Sequence, residues 1–342
     1  MRAAAAVLLV CAAARAEEIR IEVARGLRVA RVEAAGRTHL LSARESGLLI
    51  DGKPAASAGF TAPMRLDGRA LPGRLELFAE RGTLVAVNAV DLEQYVAAVV
   101  ASEVPHRWPR EALRAQAVAA RTFAVAQKVA QGPASRAHLG ASVLDQVYRN
   151  AANPPRPALE AAQSTAGEVL TWGAAPIAAY FSASCGGISE GAEAAFNLPP
   201  GTTPYIRSGA EDGDTREWTV RLPLAEITAA LRKAQRMQAE IREVAVESRT
   251  ASGRAQTLAL QTSAGPRRLQ AVELRQLIGY ERLPSLLFEV KTEGSVAVFR
   301  GRGSGHGVGL CQWGARSRAI AGDGYREILA HYYPGAEIRR MY

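Results

Sequence analysis

The first ninety residues of the chain alternate apolar and polar positions in the way that strands do. The segments EIRIEVA at residues 18–24 and RLELFAE at residues 74–80 place an apolar side chain at nearly every second position, and glycines separate such segments. A period of two is typical of strands with one buried face. We therefore predict a β-rich region over residues 17–73, with further strands to about residue 90.

Helical spacing begins at Asp91. The segment DLEQYVAAVVASEVP opens on a residue type that caps helices, repeats apolar side chains three and four positions apart, and ends at Pro105. A second helix is predicted from Pro109 to about Gly132. Its many alanines give it little bulk on any side, so we expect it to pack closely against other backbone.

Shorter elements of both kinds fill the rest of the chain. Residues 222–238 have the apolar stripe of an amphipathic helix, residues 244–262 indicate a hairpin that turns at Ser252 and Gly253, and a last helix is predicted at about residues 324–331. The sequence therefore predicts an α+β fold. A β-rich N-terminal region precedes a mixed α/β core over residues 74–342, which contains a helix and β-hairpin subregion at about residues 218–290.

The first sixteen residues have the pattern of a secretory signal peptide. Arg2 precedes an apolar run at residues 3–13, and residues 14–16 form a cleavage site of the A-x-A type. The run is shorter than the roughly 20 apolar residues that a membrane-spanning helix needs. We therefore predict an exported protein of the periplasm or the extracellular cell-wall space, with no transmembrane segment after the signal peptide.

Charge and cysteine content fit this location. The formal net charge is +9, and it falls by two, to +7, when Arg2 and Arg15 leave with the signal peptide. A basic exported protein suits a polyanionic surface such as a cell wall, and nucleic acid is not an expected partner outside the cytoplasm. The mature chain keeps Cys185 and Cys311. Two cysteines allow one disulfide in an oxidising compartment, and they cannot supply the four ligands of a structural zinc site alone.

Polar residues at two helical positions are candidates for chemistry. Glu103 ends an apolar helix just before a proline, and loss of hydration there favours the protonated carboxyl group that a general acid needs. The alternative is a surface glutamate at a helix end. Gln116 and Arg121 lie on the alanine-rich helix. An arginine in that setting either pairs with a carboxylate or contacts a ligand.

The segment GRGSGHGVGLCQWGA at residues 301–315 has glycine at every second position from Gly301 to Gly309. In an extended strand these glycines would leave one face bare, against which a ligand or another backbone could lie. Tight turns with positive φ are the alternative use of such glycines. His306, in the middle, has three possible roles: a base, a donor to a ligand, or a structural histidine.

Three segments together resemble the SpoIID/LytB family, which includes sporulation stage II protein D and proteins described as amidase enhancers. They are LEQYVAAVVASEVPHRWPREALRAQAVAARTFA, AYFSASCGGISE and GRGSGHGVGLCQWGA. The resemblance runs from about Arg74 to Tyr342. It implies a peptidoglycan lytic transglycosylase with a glycan-binding cleft, which cuts denuded glycan strands and leaves 1,6-anhydro-muramic ends. Wall amidases are further partners that the resemblance implies.

The resemblance also assigns residues. It implies that Glu103 is the catalytic residue. The residues that it implies for substrate binding or positioning are Arg121, Gln116, Tyr180, Ser182, His306 and Gln312. Some family members hold zinc near the second segment, but Ser182 and Ser184 stand there in this chain. We therefore predict no metal and no cofactor, and instead a disulfide between Cys185 and Cys311.

One carboxyl group suffices for this chemistry. A hydrolytic glycosidase needs two carboxylates beside the scissile bond, whereas a transglycosylase uses Glu103 first as acid and then as base. Two alternatives remain open on the sequence alone. The first is a peptidoglycan-binding module without turnover that enhances an amidase. The second is a cysteine hydrolase with Cys185 as nucleophile and His306 as base.

Overall fold

The computed structural model describes residues 17–140, 146–148, 152–209 and 215–342, and the predicted signal peptide lies outside these ranges. Helices and strands are both abundant in several separate sheets, which confirms the predicted α+β class.

Strands fill the described chain from residue 18 to residue 91, as the alternating pattern predicts. They are β1 (Glu18–Leu27), β2 (Val29–Ala34), β3 (Arg37–Ala43), β4 (Leu48–Ile50), β5 (Lys53–Ala55), β6 (Ser57–Thr61), β7 (Met64–Leu66), β8 (Arg69–Leu71), β9 (Arg74–Glu80) and β10 (Thr83–Asp91). Apolar side chains from these strands form a common core that includes Leu41, Leu75 and Leu84. Since β6 pairs with β9 in one sheet, that sheet crosses the boundary predicted between residues 73 and 74.

Helices dominate the next part of the chain and its C-terminal end. The elements here are α1 (Leu92–Glu103), α2 (Arg110–Gln131), β11 (Leu139–Gly140), α3 (Arg156–Ser164), β12 (Glu168–Trp172), β13 (Ala175–Pro176), β14 (Phe181–Ser182), α4 (Ala192–Phe196), β21 (Leu310–Cys311), α7 (Gln312–Ile320), α8 (Tyr325–Tyr332) and β22 (Glu337–Arg340). Helix α1 begins as predicted, because the Asp91 carboxylate accepts a hydrogen bond of 3.0 Å from the Gln94 N–H.

The alanine-rich helix α2 is the centre of this part. It packs against α1, α3, α7 and α8. Small side chains on two of its sides belong to two different apolar cores, with Ala117 and Ala120 in one and Ala115 and Ala119 in the other. A helix without bulk lets several backbones approach it, and this confirms the close packing expected from the sequence.

An α/β unit with a core of its own lies between α4 and β21. Its elements are β15 (Glu217–Pro223), α5 (Leu224–Lys233), β16 (Ile241–Arg249), β17 (Ala255–Thr262), β18 (Gly265–Gln270), α6 (Ala271–Ile278), β19 (Phe288–Glu293) and β20 (Val296–Arg302). Strands β16 and β17 form the predicted hairpin. Buried Leu258, Leu274 and Phe299 are part of the core of this unit.

A buried ion pair joins the helices to one another. Arg121 of α2 is fully buried, and its guanidinium donates two hydrogen bonds to the Glu93 carboxylate of α1, at 2.8 and 2.5 Å. Its remaining donors reach the carbonyls of Ala162 and Glu168, at 3.0 and 3.2 Å. The Tyr342 hydroxyl also donates to Glu93, at 2.7 Å. The pair of Arg121 and Glu93 therefore links α1, α2, α3, β12 and Tyr342.

We predict that Arg121→Met lowers the free energy of unfolding by about 3–5 kcal/mol, because it leaves a largely buried carboxylate without its cation. Arg156→Met is the matched control, since Arg156 forms an ion pair with Glu160 at 2.7 Å but its side chain is 88% exposed. The control should cost less than about 0.5 kcal/mol. Urea denaturation measures both variants. Equal losses of unfolding free energy would show that the buried pair stabilises the protein no more than the exposed pair does.

Candidate functional site

Glu103 is the last residue of α1, and two N–H donors hold its carboxylate. Its Oε1 accepts a hydrogen bond of 2.9 Å from the Val147 backbone. Its Oε2 accepts one of 3.2 Å from the Nε2 of Gln312, the first residue of α7. The carboxylate is half-buried. Two residues that the sequence places 209 positions apart are therefore in contact, and both were predicted as site residues.

Gln312 reaches this place through a short parallel pairing of β14 with β21. Ser182 lies opposite Cys311 in this pairing. Cys311 then caps α7, because its Sγ accepts from the Gly314 N–H at 3.4 Å. The second and third family segments thus lie side by side and deliver Gln312 to Glu103.

Cys185 and Cys311, between which a disulfide is predicted, are both buried and lie next to each other. The disulfide stays a prediction. The Cys185 backbone N–H donates to the Cys311 Sγ at 3.2 Å. The Cys311 sulfur therefore acts as a hydrogen-bond acceptor for two backbone amides, which is a use of cysteine that its spacing in the sequence cannot indicate.

The glycine-rich segment adopts the second of its two possible conformations, a series of turns and not an extended strand. Strand β20 ends at Arg302, and the glycines at 303, 305, 307 and 309 all have positive φ. The segment is a compact loop, which we call the glycine loop (residues 303–309). Of the two uses of glycine that the sequence left open, the structure shows positive φ combined with close approach.

The glycine loop packs so closely against neighbouring backbone and side chains that its glycines have no room for a Cβ. A Cβ on Gly309 would lie 2.0 Å from the Tyr180 carbonyl oxygen, and one on Gly305 would lie 2.7 Å from the Ser182 Cβ. The glycines therefore bring the third family segment onto the second. They do not present a bare face along a strand.

His306 projects from the glycine loop as a neutral, half-buried ring. Its Nδ1 accepts a hydrogen bond of 2.9 Å from the Val308 N–H. Burial lowers the pKa of His306 to about 4, helped by the positive charges of Arg275 and Arg254, although a hydrogen bond to the Phe181 backbone opposes the shift. The ring is thus bonded to the backbone of Val308 and of Phe181.

An aromatic cluster surrounds His306. The Phe196 ring lies 4.7 Å from the Tyr180 ring and 5.3 Å from the His306 ring, measured between centroids. Phe196 is 37% exposed, so this cluster, Tyr180–Phe196–His306, reaches the surface. Phe196 could not be recognised from the sequence, because residues 191–217 have the composition of a loop and the five-residue helix α4 gives little periodic signal.

A pair of tryptophans lies close to two site residues in the sequence and was not among the predicted site residues. Trp108 follows Glu103 by five residues and Trp313 follows Gln312 directly; their ring centroids are 5.0 Å apart in an edge-to-face arrangement. The guanidinium of Arg216 lies 3.4 Å from the centroid of the Trp313 ring. Their positions, five residues after Glu103 and directly after Gln312, are the signal that could have identified them.

Two predicted binding residues carry buried polar atoms without a hydrogen-bond partner among the described residues. Both polar atoms of the Gln116 side chain are in this state, and so is the Ser182 Oγ. Gln116 is 1% exposed and Ser182 is 7% exposed. Buried polar groups in native proteins are nearly always paired. Unsatisfied groups on two site segments therefore indicate places where a ligand or a water molecule completes the hydrogen bonding.

Arg121 does not contact this site directly. It has no exposed surface, and the ion pair with Glu93 and two carbonyl groups occupies its donors. Of the two alternatives for Arg121, the structure shows the carboxylate pair, so the prediction of substrate contact is corrected to an interior role that supports the helix carrying Glu103.

Two further features concern the whole described chain. None of its helices combines the length and apolar character needed to cross a membrane. The described residues also contain no group of three or more His, Cys, Asp and Glu side chains placed to bind a metal ion. The absence of a metal in the functional protein stays a prediction.

The chain is similar to known protein families and to several known proteins. Residues 80–172 match a family model described as stage II sporulation protein, and residues 207–309 match one described as a domain of unknown function. Stage II sporulation protein D of Bacillus amyloliquefaciens is 32% identical over 271 residues, which span 74% of this chain and 75% of that protein.

Two other relatives extend the comparison. An uncharacterized protein of Brachyspira hyodysenteriae is 31% identical over 283 residues, which span 82% of this chain and 74% of that protein. An amidase enhancer of Bacillus subtilis is 27% identical over 289 residues, or 70% of this chain, but only 39% of the enhancer is covered.

We predict that the His306 ring titrates near pH 4. Its folded pKa is below the ordinary value of 6.5, so the stability that it contributes is present above pH 6.5 and is lost as the pH falls from there toward 4. NMR of the histidine ring protons between about pH 7 and pH 3 measures the midpoint. His306→Gln assigns the signal, which is needed because burial beside Arg20 lowers the pKa of His138 to about 4 as well. A midpoint near 6.5 for His306 would contradict the buried arrangement.

Proposed function

Since the chain belongs to the stage II sporulation protein D family, we propose that it remodels bacterial cell wall as a peptidoglycan lytic transglycosylase. The observation that carries this proposal is the Glu103 carboxylate, held between the Gln312 side chain and the Val147 N–H. These contacts fix the orientation of one carboxyl group at the meeting point of the first and third family segments. A fixed, half-buried carboxyl group is what general acid catalysis requires.

In the proposed reaction Glu103 acts twice. The protonated carboxyl group donates its proton to the oxygen of the bond between N-acetylmuramic acid and N-acetylglucosamine, and the bond from that oxygen to the anomeric carbon breaks. The resulting carboxylate then removes the proton of the 6-hydroxyl group of the same muramic residue, whose oxygen attacks the anomeric carbon. The products are a 1,6-anhydro end and a free hydroxyl group, and Glu103 recovers its proton without consuming water.

Gln312 positions the catalytic group in this reaction. Its amide donates to Oε2, and an amide donor stays in place whether the carboxyl group is protonated or ionised, since it has no charge to lose. We assign to Ser182, whose Oγ has no partner among the described residues, a hydrogen bond to the sugar. Gln116 is 1% exposed and thus almost as deeply buried as Arg121, so we assign it no contact with the sugar.

Aromatic rings supply the remaining binding surface. Pyranose rings have apolar C–H faces, which pack well on aromatic side chains that keep one exposed side. We assign this role to the cluster Tyr180–Phe196–His306, of which Phe196 is the exposed member. In this assignment His306 is a neutral, rigid ring, consistent with its lowered pKa, and it takes no part in proton transfer.

The second candidate function is peptidoglycan binding that enhances a wall amidase. The similarity to an amidase enhancer favours it, and it requires the same aromatic surface without turnover. Both candidates place the protein outside the cytoplasm, at the cell wall, in agreement with the basic net charge.

We predict that Glu103→Gln abolishes cleavage of denuded glycan strands, with a loss of about 10²–10⁴-fold, because the amide cannot donate and recover a proton. Mass spectrometry of the digest should show 1,6-anhydro ends with the unaltered protein and none with the variant. Glu111→Gln is the matched control, because Glu111 also accepts a backbone N–H, from Tyr325 at 2.9 Å, next to a helix end. The control should cleave normally.

Two other outcomes of the same digest point elsewhere. Reducing ends in place of anhydro ends would mean hydrolysis, which requires a second catalytic group. Strands that bind to both proteins and stay intact would support the amidase-enhancer function and exclude the transglycosylase.

We predict that Phe196→Ala weakens binding of denuded glycan strands about two- to tenfold, which is the weight of one aromatic contact of about 0.5–1.5 kcal/mol. Phe60→Ala is the matched control, because Phe60 packs on His39 at 5.4 Å, much as Phe196 packs on His306 at 5.3 Å, but it lies on strand β6 of the N-terminal region. Isothermal titration measures both. Equal affinities of the two variants for the glycan strands would show that Phe196 is not part of the binding surface.

A further inference from the structure

A buried arginine from the β16–β17 hairpin contacts the second family segment. Arg254 follows the turn of this hairpin and is 3% exposed. Its guanidinium donates to the carbonyl of Cys185 at 2.7 Å and to the carbonyl of Ile188 at 3.0 Å. Both carbonyls belong to the glycine-rich corner at residues 185–191. One planar group thus fixes two points of the corner, which a lysine ammonium could not do with the same geometry.

A buried carboxylate in the same corner is bonded to the hairpin tip. Glu190 is 1% exposed. Its Oε2 accepts from the Ser252 hydroxyl at 2.8 Å and from the Thr250 hydroxyl, and Ser252 also accepts from Arg254 at 2.8 Å. Burial lowers the pKa of Arg254, and the negative charge of Glu190 opposes that shift. The hairpin tip (residues 250–254) and the corner therefore share one charge-compensated network.

The network extends to the glycine loop. The Glu190 backbone N–H donates to the Gly307 carbonyl at 2.8 Å. A Cβ on Gly307 would lie 2.0 Å from the Arg254 Nη2. Gly307 is therefore required because the guanidinium occupies the space that any side chain would need, and Arg254 packs between the corner and the glycine loop.

We propose that the hairpin tip positions the two late family segments, with Arg254 as the positioning residue. Contacts continue from it to the proposed catalytic group. Arg254 holds the Cys185 carbonyl, the Cys185 N–H is bonded to the Cys311 sulfur, and the residue after Cys311 is Gln312, which holds Glu103. The segment that matches a domain of unknown function thus has a proposed role. Its hairpin tip supports the site around Glu103, which lies outside the core of the α/β unit. The expected effect on turnover rests on the proposed function.

Three variants of the full mature chain test this proposal. Arg254→Met removes the donors and keeps much of the volume. Ser252→Ala removes one hydroxyl group from the same network. Arg268→Met is the matched control on strand β18 of the same hairpin unit, where Arg268 is exposed and pairs with Glu247 at 2.6 Å.

Hydrogen exchange is the first readout, and it needs no activity. We expect the amides of residues 183–191 and 303–311 to exchange at least about tenfold faster in Arg254→Met, because two hydrogen bonds to a charged donor are lost. The rest of the chain and the control should be unchanged. Unchanged exchange in both segments would overturn the proposal. If Arg254→Met does not fold, Ser252→Ala gives the same comparison with a smaller expected change, and an unchanged pattern there overturns the proposal equally.

Steady-state cleavage of denuded glycan strands is the second readout. We expect kcat of Arg254→Met to fall about tenfold or more while KM changes little, since displacement of a catalytic group by about 1 Å is costly to the chemical step. An unaltered kcat in a folded Arg254→Met would reject the positioning role. A wild type that cleaves nothing would instead reject the transglycosylase, and the exchange data would still decide on Arg254.

Discussion

The ion pair between Arg121 and Glu93 is the contact on which the arrangement of the helices depends. A fully buried guanidinium must have partners for all its donors, because an unpaired charge in the interior is very unfavourable. Arg121 finds them on α1, α3 and β12, so these elements have one relative position in which the charge is satisfied. Helix α1 ends at Glu103, and the orientation of that carboxylate thus depends on an interaction ten residues away that contacts no ligand.

The second constraint on this site is its need for residues with small side chains or none, namely alanine and glycine. The alanines of α2 allow four helices to approach it, and the glycine loop lies against the Tyr180 carbonyl and the Arg254 guanidinium where a Cβ would clash. Where backbone segments pack closely, water is excluded and polar groups must find hydrogen-bond partners within the protein. Most find partners within the protein, such as the Cys311 sulfur that accepts from Cys185. Within the described part of the chain, the polar side-chain atoms of Gln116 and the Ser182 Oγ have no partner, and we assign Ser182 to the substrate.

Local features followed from the sequence because they depend on residues close to one another. The capping aspartate, the alternating strands and the β16–β17 hairpin all formed as the patterns indicated. The features that the sequence left open or missed concern distant residues. The conformation of the glycine loop depends on what packs against it, and a spacing of every second residue is compatible with both a strand and a series of turns. Phe196 could not be identified because its environment comes from Tyr180 and His306, which lie elsewhere in the chain.

The sequence by itself determined the class of fold, helices α1 and α2, the β16–β17 hairpin, the family segments and the candidacy of Glu103. These depend on periodicity, capping and residue type, which act over a few neighbouring positions. Only the tertiary structure decided that Gln312 holds Glu103, that Arg121 lies in the interior, that the Cys311 sulfur accepts from the Cys185 N–H and that Arg254 packs against the glycine loop. Each of these is a contact between segments far apart in the chain, and the packing of the whole molecule selects it from many partners of equal chemical suitability.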